Sequence, residues 1–158
     1  TGAQASEIYA FGTELQRHRL FKSLGDIDGR LWVEKKRFVE DNHVRNYFFD
    51  SRNGKAVLID VDRDYMLNSP FLDDFLYNEL AGRFRSVYLA DPTSGYVADI
   101  LEGNFPYFVK KFGSSEVTKT QLLKSASYFD NLAAQSLGDD RIYFSNIADD
   151  IRSFVKYQ

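Results

Sequence analysis

Three aspartates alternate along the segment IDVDRDYML, at Asp60, Asp62 and Asp64. In an extended strand alternate side chains share a face, so these carboxylates would lie together. Carboxylate oxygens bind divalent cations, but a calcium loop is excluded, because its sixth position is Tyr65 rather than Gly and its twelfth is Phe71 rather than Glu. The simpler interpretation is the polar end of a surface strand, and we expect no metal site.

The longer segment AVLIDVDRDYML resembles the strand with an Asp-x-Asp end of haloacid-dehalogenase-type phosphatases. The resemblance implies a nucleophile at Asp60, a general acid and base at Asp62, and a phosphate-binding Lys124. The next strand, however, ends at Ala90 where the family has Thr or Ser, and the last strand reaches Asn146 where the family has a metal-binding acid. This alternative therefore implies a phosphatase-like fold that has lost its catalysis.

A second resemblance covers more of the chain. A long N-terminal helix is followed by FVEDNHVRNYFFDS, FLDDFLYNELAGRFRSVYLADPTSGYV and VTKTQLLKSASYFDNLAAQSLGDDRIYFSNI. In order and spacing these segments are similar to the extracytoplasmic Cache sensor domains of bacterial histidine kinases, chemoreceptors and diguanylate cyclases. The stretch from Asp91 to Gly95 matches the family's Asp-x-x-Gly turn with one extra residue, and KSASYF and IYFS match two later motifs.

The Cache resemblance implies an α/β (α+β) fold, in which a long N-terminal helix packs on a PAS-like antiparallel sheet. A ligand pocket would lie between that sheet and the KSASYF segment. The residues expected to line it are Tyr88, Asp91, Lys124, Tyr128 and Tyr143. Aromatic walls with one cation and one carboxylate suit a small polar ligand, although each tyrosine taken singly also fits a place in the core or at its rim.

The two histidines of the chain carry no recognisable chemistry. His18 lies in LQRHRLF on a charged helix face, and His43 follows an expected helix end, where a cation interacts favourably with the helix dipole. Two histidines without a cysteine do not make a zinc site, and no glycine-rich phosphate loop is present. We therefore expect no catalytic residue, no metal and no cofactor.

Composition limits the partners and the compartment. With 158 residues, of which 44% are hydrophobic, the chain can bury one core, so a single domain over 1–158 is expected. The net charge of −3 is evidence against nucleic acid as a binding partner. The chain begins at Thr-Gly-Ala and lacks an apolar run of about 18 residues. We expect it to be an excised periplasmic part of a membrane-anchored protein.

The hydrophobic pattern predicts elements along the chain. A helix from about Ser6 to Glu40, within segment 1–41, is predicted because apolar residues recur on one face at Leu20, Leu24, Ile27 and Leu31. This stripe could pack on the sheet or form a dimer seam, and a break near Gly25 is the main alternative. Segment 42–158 would form the PAS-like part.

Within that part, Asn53-Gly54 predicts a hairpin over 46–60, and Ser69-Pro70 predicts the start of a helix. SVYLA and DRIYFSNI are predicted to be strands, and the segment after Gly95 fits either a strand or a helix. NFPYFVKKFG is expected to be partly extended, and KTQLLKSASYFDNLAAQSLG is predicted to be a helix closed by Gly138.

The sequence thus predicts a sensor domain that performs no chemistry itself. It would bind a small molecule or a periplasmic protein and pass the signal through its long helix, with a homodimer through that helix as a further possibility. The alternative is the phosphatase-like domain with Asp60 and Asp62 at its site.

Overall fold

The computed structural model describes residues 3–39, 47–50, 52–58, 66–67, 69–82, 85–91 and 95–158. These ranges are mostly helical. The helices are α1 (Ala5–Phe11), α2 (Glu14–Lys35), α3 (Leu72–Leu76), a π-helical turn (Tyr77–Gly82), α4 (Arg85–Ala90), α5 (Tyr96–Phe112), α6 (Ser115–Ala134) and α7 (Gly138–Lys156). The strands are β1 (Ala3–Gln4), β2 (Phe38–Val39), β3 (Tyr47–Asp50), β4 (Lys55–Leu58) and β5 (Met66–Leu67).

The fold predicted from the sequence is wrong. In place of a PAS-like sheet, the described residues form one three-stranded antiparallel sheet in the order β1-β3-β4 and one two-stranded pair, β2-β5. Both segments that flank Asp91 to Gly95 are helices, α4 and α5, so that turn joins no pair of strands. The phosphatase-like alternative also needs strands at 87–89 and 142–144, and both segments are helical.

The N-terminal helix is divided at Gly12-Thr13 rather than near Gly25. Thr13 starts α2 with a capping box, since its side chain accepts a hydrogen bond from the Gln16 backbone N–H at 3.1 Å and its own N–H donates to Gln16 Oε1 at 2.9 Å. Gly25 lies inside α2. The predicted stripe faces the core, because Leu20 and Leu24 are fully buried. A homodimer through this helix remains a prediction.

Helices α2 and α5 run parallel and touch along their length. Ion pairs and hydrogen bonds join residues in the same order on both helices, His18 to Asp99, Lys22 to Glu102 and Glu34 to Lys110. Two glycines allow the backbones to approach closely. A methyl group on Gly25 would lie 2.1 Å from the Ile100 carbonyl oxygen, and one on Gly103 would lie 2.0 Å from the Lys22 carbonyl oxygen.

The predicted hairpin is present and packs on α2. Its strands pair from Tyr47 opposite Leu58 to Asp50 opposite Lys55, so four residues rather than two separate the last paired positions, and the described part of this loop is 52–54. Gly54 has a φ of 68°, as its Asn-Gly context predicted. The Ser23 hydroxyl accepts a hydrogen bond from the Ala56 N–H at 2.6 Å. Helix α2 therefore covers the outer edge of β4 and fixes the loop beside its N-terminal half.

Helices α6 and α7 form a hairpin over the C-terminal third of the chain. The predicted strand DRIYFSNI is wrong, because that segment is the first half of α7. The buried residues Tyr143, Ile147, Ile151 and Phe154 follow helical spacing along one face. NFPYFVKKFG is also helical, with Pro106 inside α5, and Gly138 begins α7 rather than closing α6. These helices belong to the same continuous core as α2 and the hairpin.

Candidate functional site

The largest described concavity is a groove of about 720 Å³ between α2, the β3–β4 loop and α5. We call it the basic groove. Its floor is one face of α2, and the loop and α5 form its two walls. It is lined by Arg19, Lys22, Ser23, Asp26, Arg30, Arg52, Asn53, Gly54, Lys55, Glu102, Gly103, Pro106 and Tyr107. This volume lies in the range of small-molecule sites.

The basic groove is positive although the chain is negative overall. Five basic and two acidic side chains line it, an excess of three positive charges in a protein of net charge −3. Both acidic groups are engaged inside the groove. Glu102 pairs with Lys22 at 3.0 Å, and Asp26 accepts a hydrogen bond from the Tyr107 hydroxyl at 2.8 Å. The remaining cations therefore dominate the potential in the groove.

Three of these cations are uncompensated. Arg19, Arg30 and Lys55 form no ion pair with any residue that the structure describes. Arg52 is 3.3 Å from Asp50 on the neighbouring strand, a pairing at the protein surface. Exposed cations that line one groove without internal partners raise its positive potential, and that potential attracts an anion. The geometry therefore suits an anionic ligand.

The five residues predicted to line a pocket lie elsewhere. Tyr88 on α4 and Tyr143 on α7 meet in the core, with ring centroids 4.7 Å apart. The Tyr143 hydroxyl donates to the Leu80 carbonyl and lies 3.1 Å from the Tyr96 hydroxyl, and Asn146 donates to the Tyr88 hydroxyl. Burial raises the pKa of Tyr143 to about 12. These tyrosines thus form a buried hydrogen-bonded cluster.

The other three do not join that cluster. Asp91 is exposed directly after α4, and Lys124 is exposed on α6. Tyr128 is half-buried on α6 with its ring edge against Phe129. None of the five is among the described lining residues of the basic groove. The residues Asp60, Asp62, Asp64 and His43 lie outside the described residues. Across the described ranges, no three acidic or imidazole side chains come together as a metal site.

A smaller cleft of about 270 Å³ lies between the start of α5 and the end of α7. Two acidic residues, Glu102 and Asp150, line it together with Phe154 and Tyr157. Burial and the neighbouring charge of Asp149 raise the pKa of Asp150 to about 6. The cleft repels anions and has no described cation in its lining, so it is a weaker candidate than the basic groove.

His18 and Asp99 link α2 to α5 one helical turn before Lys22 and Glu102. His18 Nδ1 lies 2.6 Å from Asp99 Oδ2, and its Nε2 lies 3.6 Å from Glu14 Oε1. The hydrogen bond with Asp99 raises the pKa of His18 above its ordinary value of 6.5, and burial raises the pKa of Asp99. A histidine oriented by an aspartate can act as a base, but here its outer nitrogen faces a carboxylate rather than a nucleophile.

We expect this pair to make stability depend on pH. Because the folded-state pKa of His18 is raised, its contribution is complete below pH 6.5 and is lost as the pH rises through that higher value. His18 is 42% exposed, so the loss should be at most about 1 kcal/mol. Urea unfolding between pH 6.5 and 9 should show the decline for the native chain, and His18→Gln should flatten it. An unchanged decline in His18→Gln would assign it to other groups.

Comparisons with known proteins give no further guide. No family model matches the chain, no curated protein matches it, and no solved structure matches it. None of the described helices is both long and apolar enough to span a membrane. The function must therefore be argued from the groove itself.

Proposed function

We propose that this protein is a binding module that holds a small anionic molecule in the basic groove. The observation that carries the proposal is that Arg19, Arg30 and Lys55, three cations without an ion pair among the described residues, line one concavity of an acidic protein. The groove walls come from elements fixed to one another by the α2–α5 contact and by the Ser23–Ala56 hydrogen bond. A site held in this way needs little rearrangement to bind.

This proposal keeps the ligand-binding part of the sequence prediction and moves its site. The pocket predicted around Tyr88 and Tyr143 is filled by their own side chains, whereas the basic groove is open to solvent. That the domain performs no chemistry, belongs to a membrane-bound signalling receptor and lies in the periplasm all remain predictions.

The proposal is tested with inorganic pyrophosphate as the probe. Isothermal titration calorimetry at low ionic strength should detect binding to the native chain. Arg19→Glu should weaken it tenfold or more, because one charge-assisted contact contributes about 1.5–3 kcal/mol and its reversal adds repulsion. Binding should also weaken as salt is added, since the cations are exposed.

Lys124→Glu is the matched control. It makes the same charge change at an exposed position outside the groove lining, and at a residue that the sequence had suggested for the ligand. We expect it to change the pyrophosphate affinity less than twofold, with circular dichroism confirming that both variants fold. Equal losses in the two variants would show a response to net charge alone, and no detectable binding by the native chain would contradict the proposal.

A further inference from the structure

The two ends of the basic groove differ in chemistry. Arg19 and Arg30 are eleven residues apart on the same face of α2, which at 1.5 Å per residue separates their backbones by about 16 Å. Gly54 lies beside Arg19, because a methyl group on Gly54 would lie 3.4 Å from Arg19 Cδ. Tyr107 lies against the other end, where a methyl group on Gly29 would be 3.3 Å from its ring. We call these the loop end and the ring end.

The loop end presents cations and a polar loop. Arg19 on α2, Arg52 on the loop and Lys55 at the start of β4 line it, together with Asn53. Guanidinium groups offer two parallel N–H donors that match the oxygens of a phosphate, and an ammonium adds a point charge. Arg52 Nε is 3.3 Å from Asp50 Oδ1, which holds the guanidinium at the rim of the groove. This end suits phosphate better than a single carboxylate, because three cations converge on it.

The ring end presents a flat aromatic surface. The Tyr107 hydroxyl donates to Asp26 Oδ1 at 2.8 Å, which fixes the ring in the wall. The ring is half-buried and its neighbours in the lining are Pro106 and Arg30. Aromatic rings and guanidinium planes both stack on flat heterocycles. Burial and the bond to Asp26 raise the pKa of Tyr107, so the ring carries no charge near neutral pH.

We propose that the ligand of the basic groove is a nucleoside diphosphate, with its phosphates at the loop end and its base against Tyr107. This inference rests on the proposed function and adds to it that the Tyr107 ring stacks on the base of the ligand. The separation between Arg19 and Arg30 along α2 is long enough for a base, a sugar and two phosphates to lie in line. The groove volume accommodates one such molecule. A net-negative protein surface outside the groove disfavours long polyanions, so a mononucleotide fits better than a nucleic acid strand.

The test compares ligands that share the anion and differ in the ring. Calorimetric titrations with ADP, GDP, CDP, UDP and pyrophosphate are made at one ionic strength. At least one diphosphate should bind tenfold or more tightly than pyrophosphate. Tyr107→Leu should remove that preference and leave pyrophosphate binding within twofold, while Tyr107→Phe, which keeps the ring, should retain most of it. Tyr128→Leu is the matched control, since Tyr128 is half-buried outside the groove lining.

The outcomes separate the two proposals. If pyrophosphate binds and no nucleoside diphosphate binds more tightly, the nucleotide inference is overturned and the anion-binding proposal stands. If neither pyrophosphate nor any diphosphate binds, both are overturned. A single-stranded oligonucleotide that binds more tightly than every mononucleotide at physiological salt would also overturn the inference, because the groove would then be a nucleic-acid-binding site. A preference that survives Tyr107→Leu would place the base elsewhere and overturn the assigned orientation.

Discussion

Replacing Gly25 with Ala is expected to destabilise the fold strongly. The added methyl group would lie 2.1 Å from the carbonyl oxygen of Ile100, a contact with backbone that no rotation of a side chain relieves. The helices would have to separate, which would also break the 2.6 Å hydrogen bond from Asn104 to the Gly25 carbonyl. We expect a loss of at least about 3 kcal/mol, at the upper end for overpacking, measured by urea unfolding with circular dichroism.

Gly103→Ala should reproduce this loss of stability, and Gly82→Ala is the control. A methyl group on Gly103 would lie 2.0 Å from the Lys22 carbonyl oxygen at the same helix contact, so its replacement should cost as much as that of Gly25. Gly82 is exposed, and a methyl group there would come no closer than 4.0 Å to its nearest neighbour, the Tyr77 carbonyl oxygen. Alanine at position 82 should leave the free energy of unfolding unchanged or raise it by up to about 1 kcal/mol. A Gly25→Ala protein of native stability would mean that α2 and α5 do not pack this closely.

The close contact of α2 with α5 explains why the helix predicted from Ser6 to Glu40 continues through Gly25, although it is broken at Gly12-Thr13 and ends at Lys35. The spacing of Leu20, Leu24 and Ile27 indicates a helix whatever packs against it. Glycine inside a helix costs about 1 kcal/mol by propensity, which suggested a break at Gly25. The close contact with α5 outweighs that cost, but the partner lies about 80 residues away in sequence. The true break, at Gly12-Thr13, carried a local signal in the Thr-x-x-Gln capping box.

The strand predictions for α4 and α7 failed for a different reason. SVYLA and IYF are short runs of aromatic and β-branched residues, and a run of that length fits a strand or a buried helix equally well. In α7 the apolar face continues beyond the predicted strand through Ile151 and Phe154. A longer window would have favoured a helix. The pattern of α5 is harder to read, because Pro106 suggests a break that the helix tolerates on its groove side.

The basic groove was partly visible in the sequence. Arg19, Lys22, Ser23, Asp26 and Arg30 lie on one face of the predicted N-terminal helix, at spacings of three, one, three and four residues. What the sequence could not show is that the hairpin loop and α5 close over this face. Those walls depend on the parallel pairing of α2 with α5 and on the Ser23–Ala56 hydrogen bond, both of which join residues far apart in the chain.

Tyr88 and Tyr143 were predicted to line a pocket because the segments that contain them resemble Cache motifs. The structure instead places both rings in the core, where their hydroxyl groups are hydrogen-bonded to Asn146 and to the Leu80 carbonyl. A buried hydroxyl needs a partner of this kind, and the partners come from the π-helical turn and from α7. No sequence pattern marks them, since the π-helical turn itself was not predicted.

Trp32→Ala is expected to cause the other large loss of stability. Trp32 is 2% exposed and stacks on Phe75 at 4.6 Å, and its ring meets the edge of Phe108 at 5.8 Å. Lys111 lies over its outer face at 4.5 Å. Removing the indole leaves a cavity where α2, α3 and α5 meet, and we expect a loss of about 3–5 kcal/mol in the free energy of unfolding. Chemical unfolding followed by far-ultraviolet circular dichroism measures it.

Trp32→Phe separates packing from hydrogen bonding at this point. A phenyl ring keeps the stack on Phe75 but removes the indole N–H, which donates to the Ser69 carbonyl at 2.7 Å and ties the start of α3 to α2. Its cost should be about 1–3 kcal/mol, from the smaller ring and the unpaired carbonyl. If Trp32→Phe were as damaging as Trp32→Ala, the stack on Phe75 that the phenyl ring keeps would contribute little, and the prediction of a dominant aromatic cluster would be wrong.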